Sequence, residues 1–288
     1  MELLMSSDSA ETLAGIEYVG LPGISKECQD AVLRLLQYGD RITHVKIVSS
    51  SNDHCLLLTV NVGDVVAVKS GFASGYLGEG SHTFSYVLAV LEAHGAEIDE
   101  FKVPPDVIER IDSASLTKAD LDAINATRSV RPRRWHKYIF EPDWERKKDG
   151  TLWREFPTVV PFAIVDGRLV DLALSFWEEP DHRLVTGYRR LEDIIRERTG
   201  LNEHGSKLFS QAFLGSAAKL GWKDGDSGEQ AGKASLFTAT YQAYRNRRAH
   251  REIEGDATVF LAEFLLLNHL YLLEKESITR VPSSEPST

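Results

Sequence analysis

Cysteine is scarce: the 288 residues contain two, Cys28 and Cys55, with no C-x-x-C pair. That excludes a disulfide framework and any cysteine-built zinc or iron–sulfur site. The other histidines, His44, His54, His82, His94, His136, His182, His204 and His269, show neither H-x-x-x-H nor H-E-x-x-H spacing, so no metal site is expected. No long apolar run is present. The most apolar stretch, "VFLAEFLLLNHLYLL" (259–273), is too short for a bilayer and contains Glu263, Asn268 and His269. The start, "MELLMSSDSAE", has an early acid and no apolar core, unlike a secretory signal. A soluble cytoplasmic protein without membrane contact is expected. Positive charge is also short overall, with 33 Lys and Arg against 43 Asp and Glu and a net charge of −10. This argues against a protein coated in basic surface for nucleic acid.

What basic charge there is gathers in two places. Between Tyr241 and Glu252 stand four arginines and one glutamate; between Arg131 and Arg154 stand eight Lys or Arg and four acids. Apolar residues make up 42% of the chain, enough for a core in each segment.

In the N-terminal part, "KECQDAVLRLL" predicts a helix with Ala31, Leu35 and Leu36 near one face. "THVKIV", "HCLLLTVNV" and "DVVAVKSGF" predict strands, the last two turning at Gly63-Asp64. "SYVLAVLEAHGA" predicts a helix closed by Gly95, and Thr117 with Asp120 predicts an N-cap. Further on, Asp166-Gly167 between two apolar runs predicts a type I′ β-hairpin. "YRRLEDIIRERTG" predicts a helix with Glu192 and Arg196 one turn apart and Gly200 as its stop.

From Leu201 the pattern is helical, with Leu208, Phe209, Ala212 and Phe213 on one stripe, a Gly/Asp loop at "GWKDGDSGEQAGK", and Asp256 capping the last helix. That helix is apolar around most of its circumference and must be covered on several sides; a second copy of the chain is one such cover. The expected fold class is α+β. A mixed α/β region spans 1–127, a basic, aromatic and β-hairpin-containing middle segment 128–198, an all-α helical bundle 199–280 and a disordered tail 281–288.

The stretch "AYRNRRAHRE" (243–252) carries the sharpest chemistry. Asn246 and His250 are four apart and share a helix face. Guanidiniums around His250 disfavour its charged form and keep it available as a base. Arg245, Arg247, Arg248 and Arg251 offer permanent forked donors to phosphate. A neutral base beside a phosphate clamp suits phosphodiester cleavage. The plain alternative is a solvated basic helix face.

"RNRRAH" resembles the Arg-x4-6-His signature of the HEPN superfamily, in its Arg-Asn-x-x-Ala-His form. With "LFSQAFLGSAAKLGW" before it and the capped apolar helix after it, residues 200–276 resemble the Ymh-type family of prophage and abortive-infection proteins. The resemblance implies a helical domain that dimerises so that two motif helices line one cleft. It also implies a metal-independent endoribonuclease of an abortive-infection, toxin or phage-defence type that leaves 2′,3′-cyclic phosphate ends. On that pattern Arg245, Asn246 and His250 are catalytic, and Arg247, Arg248 and Arg251 bind substrate. The expected partners are RNA, a second copy of the chain and a regulatory or antitoxin partner; no cofactor is expected. Other members of the superfamily are non-catalytic modules that bind nucleic acid, nucleotide or protein, and a toxin of a toxin–antitoxin pair is a further alternative.

Two other stretches are candidates. "RPRRWHKYIFEPDWERKKDGTLWRE" interleaves Trp135, Trp144 and Trp153 with cations, the ingredients of single-strand binding, and makes Arg133, Arg134, Trp135 and Lys137 possible second RNA contacts. The alternative is that the tryptophans anchor the segment while the charges face water. "KSGFASGYLGEGSHTFSY" places Gly71, Gly75, Gly78 and Gly80 between a strand and a helix. It lacks the Gly-Lys-Ser/Thr of a phosphate loop, so a turn is the simpler account.

Overall fold

A computed structural model describes residues 12–245, 248 and 255–280. The chain divides into two compact units, Met1–Pro157 and Thr158–Thr288.

The first unit is built on a five-stranded sheet in the order β1-β4-β3-β2-β5. Its strands are β1 (Glu17–Val19), β2 (Ile42–Ser50), β3 (Asp53–Val60), β4 (Asp64–Ala73) and β5 (Glu97–Lys102). The three central strands form an antiparallel meander, and β1 and β5 pair parallel to β4 and β2. Helices α1 (Ser25–Gln37) and α2 (Glu79–Ala93) supply these parallel crossovers. β3 is almost continuously apolar because both faces are covered. Leu56, Leu58 and Val60 pack in one core with Val32, Leu33 and Val87. Cys55 and Leu57 point the other way, into a core with Ile108 and Ile111 of α3 (Pro105–Asp112) and Ile124 of α4 (Lys118–Ala126). Both cysteines are buried and free.

The Thr117–Asp120 capping box forms, and Gly95 takes the left-handed backbone expected after α2. In α1 the buried stripe is Cys28, Val32 and Leu33, while Leu35 and Leu36 are only partly buried beside it. α1 lies close on β4 at Gly71. A Cβ there would stand 3.0 Å from both the Ile24 carbonyl oxygen and Cys28 Cβ. Gly71→Ala is therefore expected to destabilise the protein by about 1–3 kcal/mol in urea unfolding. An unchanged midpoint would contradict this packing.

Residues 128–157 complete the first unit. Trp135, Ile139 and Leu152 join its core beside α5 (Glu141–Lys148). No strand occurs among residues 128–198, all of which are described. The hairpin expected at Asp166-Gly167 is thus corrected. Asp166 instead caps a 3-10 turn, Gly167–Leu169, accepting from the Arg168 amide. Asn268 grips this segment from both sides, accepting from the Asp166 amide at 2.7 Å and donating to the Ile164 carbonyl at 2.9 Å. The apolar residues that follow, Leu169, Leu172, Ala173 and Phe176, have helical rather than alternating spacing, and all are buried.

The second unit continues with α6 (Val170–Leu174), α7 (Pro180–Thr199), α8 (Gly205–Phe213), α9 (Ser227–Thr240) and α10 (Ala257–Glu276). The stripe Leu208, Phe209, Ala212, Phe213 is buried, and Gly200 and Asp256 end and begin their helices as expected. Two departures occur. α9 begins within the expected Gly/Asp loop because Asp226 caps it, accepting from the Glu229 amide. A two-residue ladder, β6 (Leu220–Gly221) with β7 (Ile278–Thr279), interrupts the all-helical pattern. α10 is covered within its own unit: Phe260, Leu261, Phe264, Leu267, Leu270, Tyr271 and Leu273 all lie in the core. Its apolar circumference by itself no longer calls for a second chain.

Candidate functional site

The motif enters through an irregular turn. After α9 the backbone adopts a π-helical turn, Tyr241–Arg245, a feature frequent near functional sites. Tyr241 points inward, wholly buried, and donates its hydroxyl to the Tyr188 carbonyl at 2.6 Å. Arg245, at the end of the turn, is partly exposed.

The facing surface comes from α7. Val185, Tyr188, Arg189 and Glu192 are spaced three and four apart, so they share one face. Arg245 Nε lies 3.0 Å from Glu192 Oε1, and Glu192 is buried. The same carboxylate meets Arg196 Nη1 at 3.3 Å, the expected pair one turn along the helix. Arg196 also meets Asp193, so Arg245, Arg196, Glu192 and Asp193 form a charge-balanced group. Arg189 is exposed and has no ion-pair partner among the described residues. Val185, Tyr188, Arg189, Arg245 and Arg248 line a hollow of about 80 Å³. Burial pushes the Tyr188 hydroxyl well above its ordinary pKa, so it stays protonated.

Arg248 is held differently. Its guanidinium forks onto Glu263 of α10 at 2.9 and 2.6 Å, contacts Asp181 and lies 5.0 Å from the centre of the Phe260 ring. Only 7% of the residue is exposed. Two arginines three positions apart thus stand in different settings. Arg245 borders the open hollow, and Arg248 is enclosed by acids. Asn246, Arg247, His250 and Arg251 lie outside the described residues.

The second basic stretch is also divided. Trp135 is buried in the core and stacked on His136 at 3.8 Å, so its face is not open to a base. Arg134 forks onto the buried Glu100. Arg133 and Lys137 are exposed, Arg133 lying 3.8 Å from Asp99. Among the described residues no group of three or more His, Cys, Asp or Glu is placed to hold a metal ion. Nor is any described helix long and apolar enough to cross a membrane.

Sequence reasoning missed Arg189, and it missed that Arg245 and Arg248 would each find a buried acid. Glu263 gave a signal: a lone carboxylate inside an apolar helix needs a cationic partner. Arg189 gave none, because its value lies only in what α7 faces.

Comparison with known proteins is consistent with this picture of the second unit. Residues 175–272, roughly a third of the chain, match a family described as a protein of unknown function (Hypoth_ymh). No curated protein matches. A chain of respiratory complex I from Thermus thermophilus is similar over 43% of this chain and 100% of its own, at 18% identity and a TM-score of 0.34. That likeness is too loose to bear on fold or function.

Proposed function

We propose that the second unit is a metal-independent endoribonuclease of the abortive-infection, toxin or phage-defence kind. The observation that carries it is the hollow bordered by Arg189, Arg245 and Arg248 at the point where the Arg-Asn-x-x-Ala-His motif begins. Arg189, exposed and without an ion-pair partner among the described residues, and the partly exposed Arg245 favour a phosphate diester there. The motif's resemblance to the HEPN signature supplies the chemistry.

In this reading His250 removes the proton of a ribose 2′-hydroxyl. The oxygen attacks the adjacent phosphorus, the bond to the 5′-oxygen breaks, and that oxygen leaves with a proton. The products are a 2′,3′-cyclic phosphate and a 5′-hydroxyl. Arg245 and Arg189 hold the phosphate oxygens while charge builds on them. Asn246 orients His250 or the phosphate, and Arg247 and Arg251 extend the binding surface. Arg248 ties its own position to Glu263 of α10 and Asp181 of α7 rather than touching RNA.

The test is cleavage of a labelled oligoribonucleotide beside its all-deoxy counterpart in EDTA. The reading expects the first to be cut and the second to survive. Arg189→Gln is expected to weaken RNA binding severalfold and to lower the salt dependence by about one counterion. An unchanged salt slope would remove Arg189 from the phosphate site.

A second reading has its own observation. Arg245 and Arg248 both rest on buried carboxylates, as they would in a non-catalytic module that binds RNA, nucleotide or a partner through the same helix. Tight, salt-sensitive RNA binding with both strands left intact would favour it.

A further inference from the structure

The first unit holds a hydrogen-bonded chain that the proposed reaction does not use. It starts at Glu100 of β5, which is 2% exposed. Arg134 donates to it through Nε at 2.7 Å, Ser49 through its hydroxyl at 2.8 Å and Tyr138 through its hydroxyl at 3.0 Å. Burial pushes this carboxyl up, but the donors from Arg134, Ser49 and Tyr138 outweigh that and hold it below its ordinary pKa. Glu100 is therefore an ionised acceptor.

The protons can be followed outward. Ser49 has one proton and gives it to Glu100, so its oxygen accepts from His54 Nδ1 at 2.8 Å. His54 is wholly buried, stacked on Phe84 at 4.6 Å, and burial lowers its pKa to about 4, so the ring is neutral. With Nδ1 protonated, Nε2 carries the lone pair and accepts from Ser74 Oγ at 2.8 Å. Ser74's proton is thereby committed inward. Toward anything else Ser74 offers lone pairs alone.

Ser74 stands on the wall of a cavity of about 260 Å³, below the size range typical of drug-sized ligands. Tyr76, Phe84, Tyr138 and Phe140 supply aromatic walls. Ser81, in the first turn of α2, also lines it, is 4% exposed, and its hydroxyl has no hydrogen-bond partner among the described residues. Buried hydroxyls are nearly always partnered, so one left without a partner on a cavity wall points to a ligand. The cavity thus presents a fixed acceptor, a free hydroxyl and aromatic faces.

We propose that this cavity binds a small planar heteroaromatic molecule carrying a donor and an acceptor on its edge, the chemistry of a nucleobase. The donor meets Ser74, the acceptor meets Ser81, and the ring stacks on the aromatic walls. The glycine-bearing stretch between β4 and α2 is then the entrance to a base pocket, not a phosphate loop. Ser74 is not a nucleophile: an imidazole as weak a base as His54 does not take its proton.

The test uses the full chain, titrated with adenosine, guanosine, cytidine and uridine and followed by ligand-observed NMR. At least one nucleoside is expected to bind. Ser81→Ala should weaken it about three- to tenfold, the worth of one hydrogen bond. Ser81→Leu, which fills the cavity, should abolish it. Ser81→Ala breaks no internal hydrogen bond, so it should keep the native circular dichroism and report on the ligand alone. His250→Ala should leave this binding unchanged, separating it from RNA at the second unit. No binding of any of the four at millimolar concentration, or binding that persists in Ser81→Leu, would overturn the proposal.

Discussion

Arg248→Ala is expected to destabilise the second unit by about 3–5 kcal/mol, the cost of stranding a buried charge. Glu263 is buried in α10 and accepts two hydrogen bonds from Arg248. Removing the guanidinium leaves that carboxylate in an apolar wall beside Phe260 and Phe264. Arg248→Lys should recover only part of the loss, because an ammonium cannot reproduce the two parallel bonds or the planar packing over Phe260. Replacing both partners, as in Arg248→Met with Glu263→Leu, should restore much of the stability, since the buried carboxylate is gone and only the partly exposed Asp181 loses its cation. Urea unfolding of the four proteins checks the series. If Arg248→Ala unfolds at the wild-type midpoint, the enclosed ion pair does not stabilise the second unit.

His250→Ala is expected to lower RNA cleavage by about 10²- to 10⁴-fold, the usual contribution of a positioned proton-transfer group. Arg245→Ala should cost about 10²- to 10³-fold, as removal of one fixed donor to a developing phosphate charge does. Neither should unfold the protein as Arg248→Ala does. Arg245 is partly exposed, and Glu192 keeps Arg196 when Arg245 is gone. Single-turnover rates, measured beside thermal melting, separate the two kinds of loss. Within one short motif, then, Arg248 should fail in stability and Arg245 in turnover. Equal melting losses for both would reduce the motif to a structural element.

Much of this fold was legible where local pattern and tertiary packing agree. The apolar run of β3, the Thr117 cap and the Leu208–Phe213 stripe each point to one structure, and that structure forms. β5 was not seen because half of "EIDEFK" is acidic. Its central acid, Glu100, is tolerated only because Arg134, Ser49 and Tyr138 reach it from distant parts of the chain. The Asp166-Gly167 turn misled for a related reason. Its local chemistry suits a hairpin, but Asn268 and the spacing of Leu169, Leu172, Ala173 and Phe176 draw it onto the helical core.

The candidate site was half legible. The arginine cluster is plain in sequence, but its division into an open Arg245 and an enclosed Arg248 depends on Glu192 and Glu263, which arrive from other helices. The polar chain behind the base pocket was wholly hidden. Ser49, His54, Ser74 and Glu100 have no diagnostic spacing, and only strand pairing brings them together.

The most direct measurement of the central claim is the chemical nature of the ends produced from a labelled RNA in EDTA, for the wild type beside His250→Ala. The account predicts 2′,3′-cyclic phosphate and 5′-hydroxyl ends from the wild type and none from the variant. Intact RNA with the wild type, or the same ends from both proteins, would contradict it.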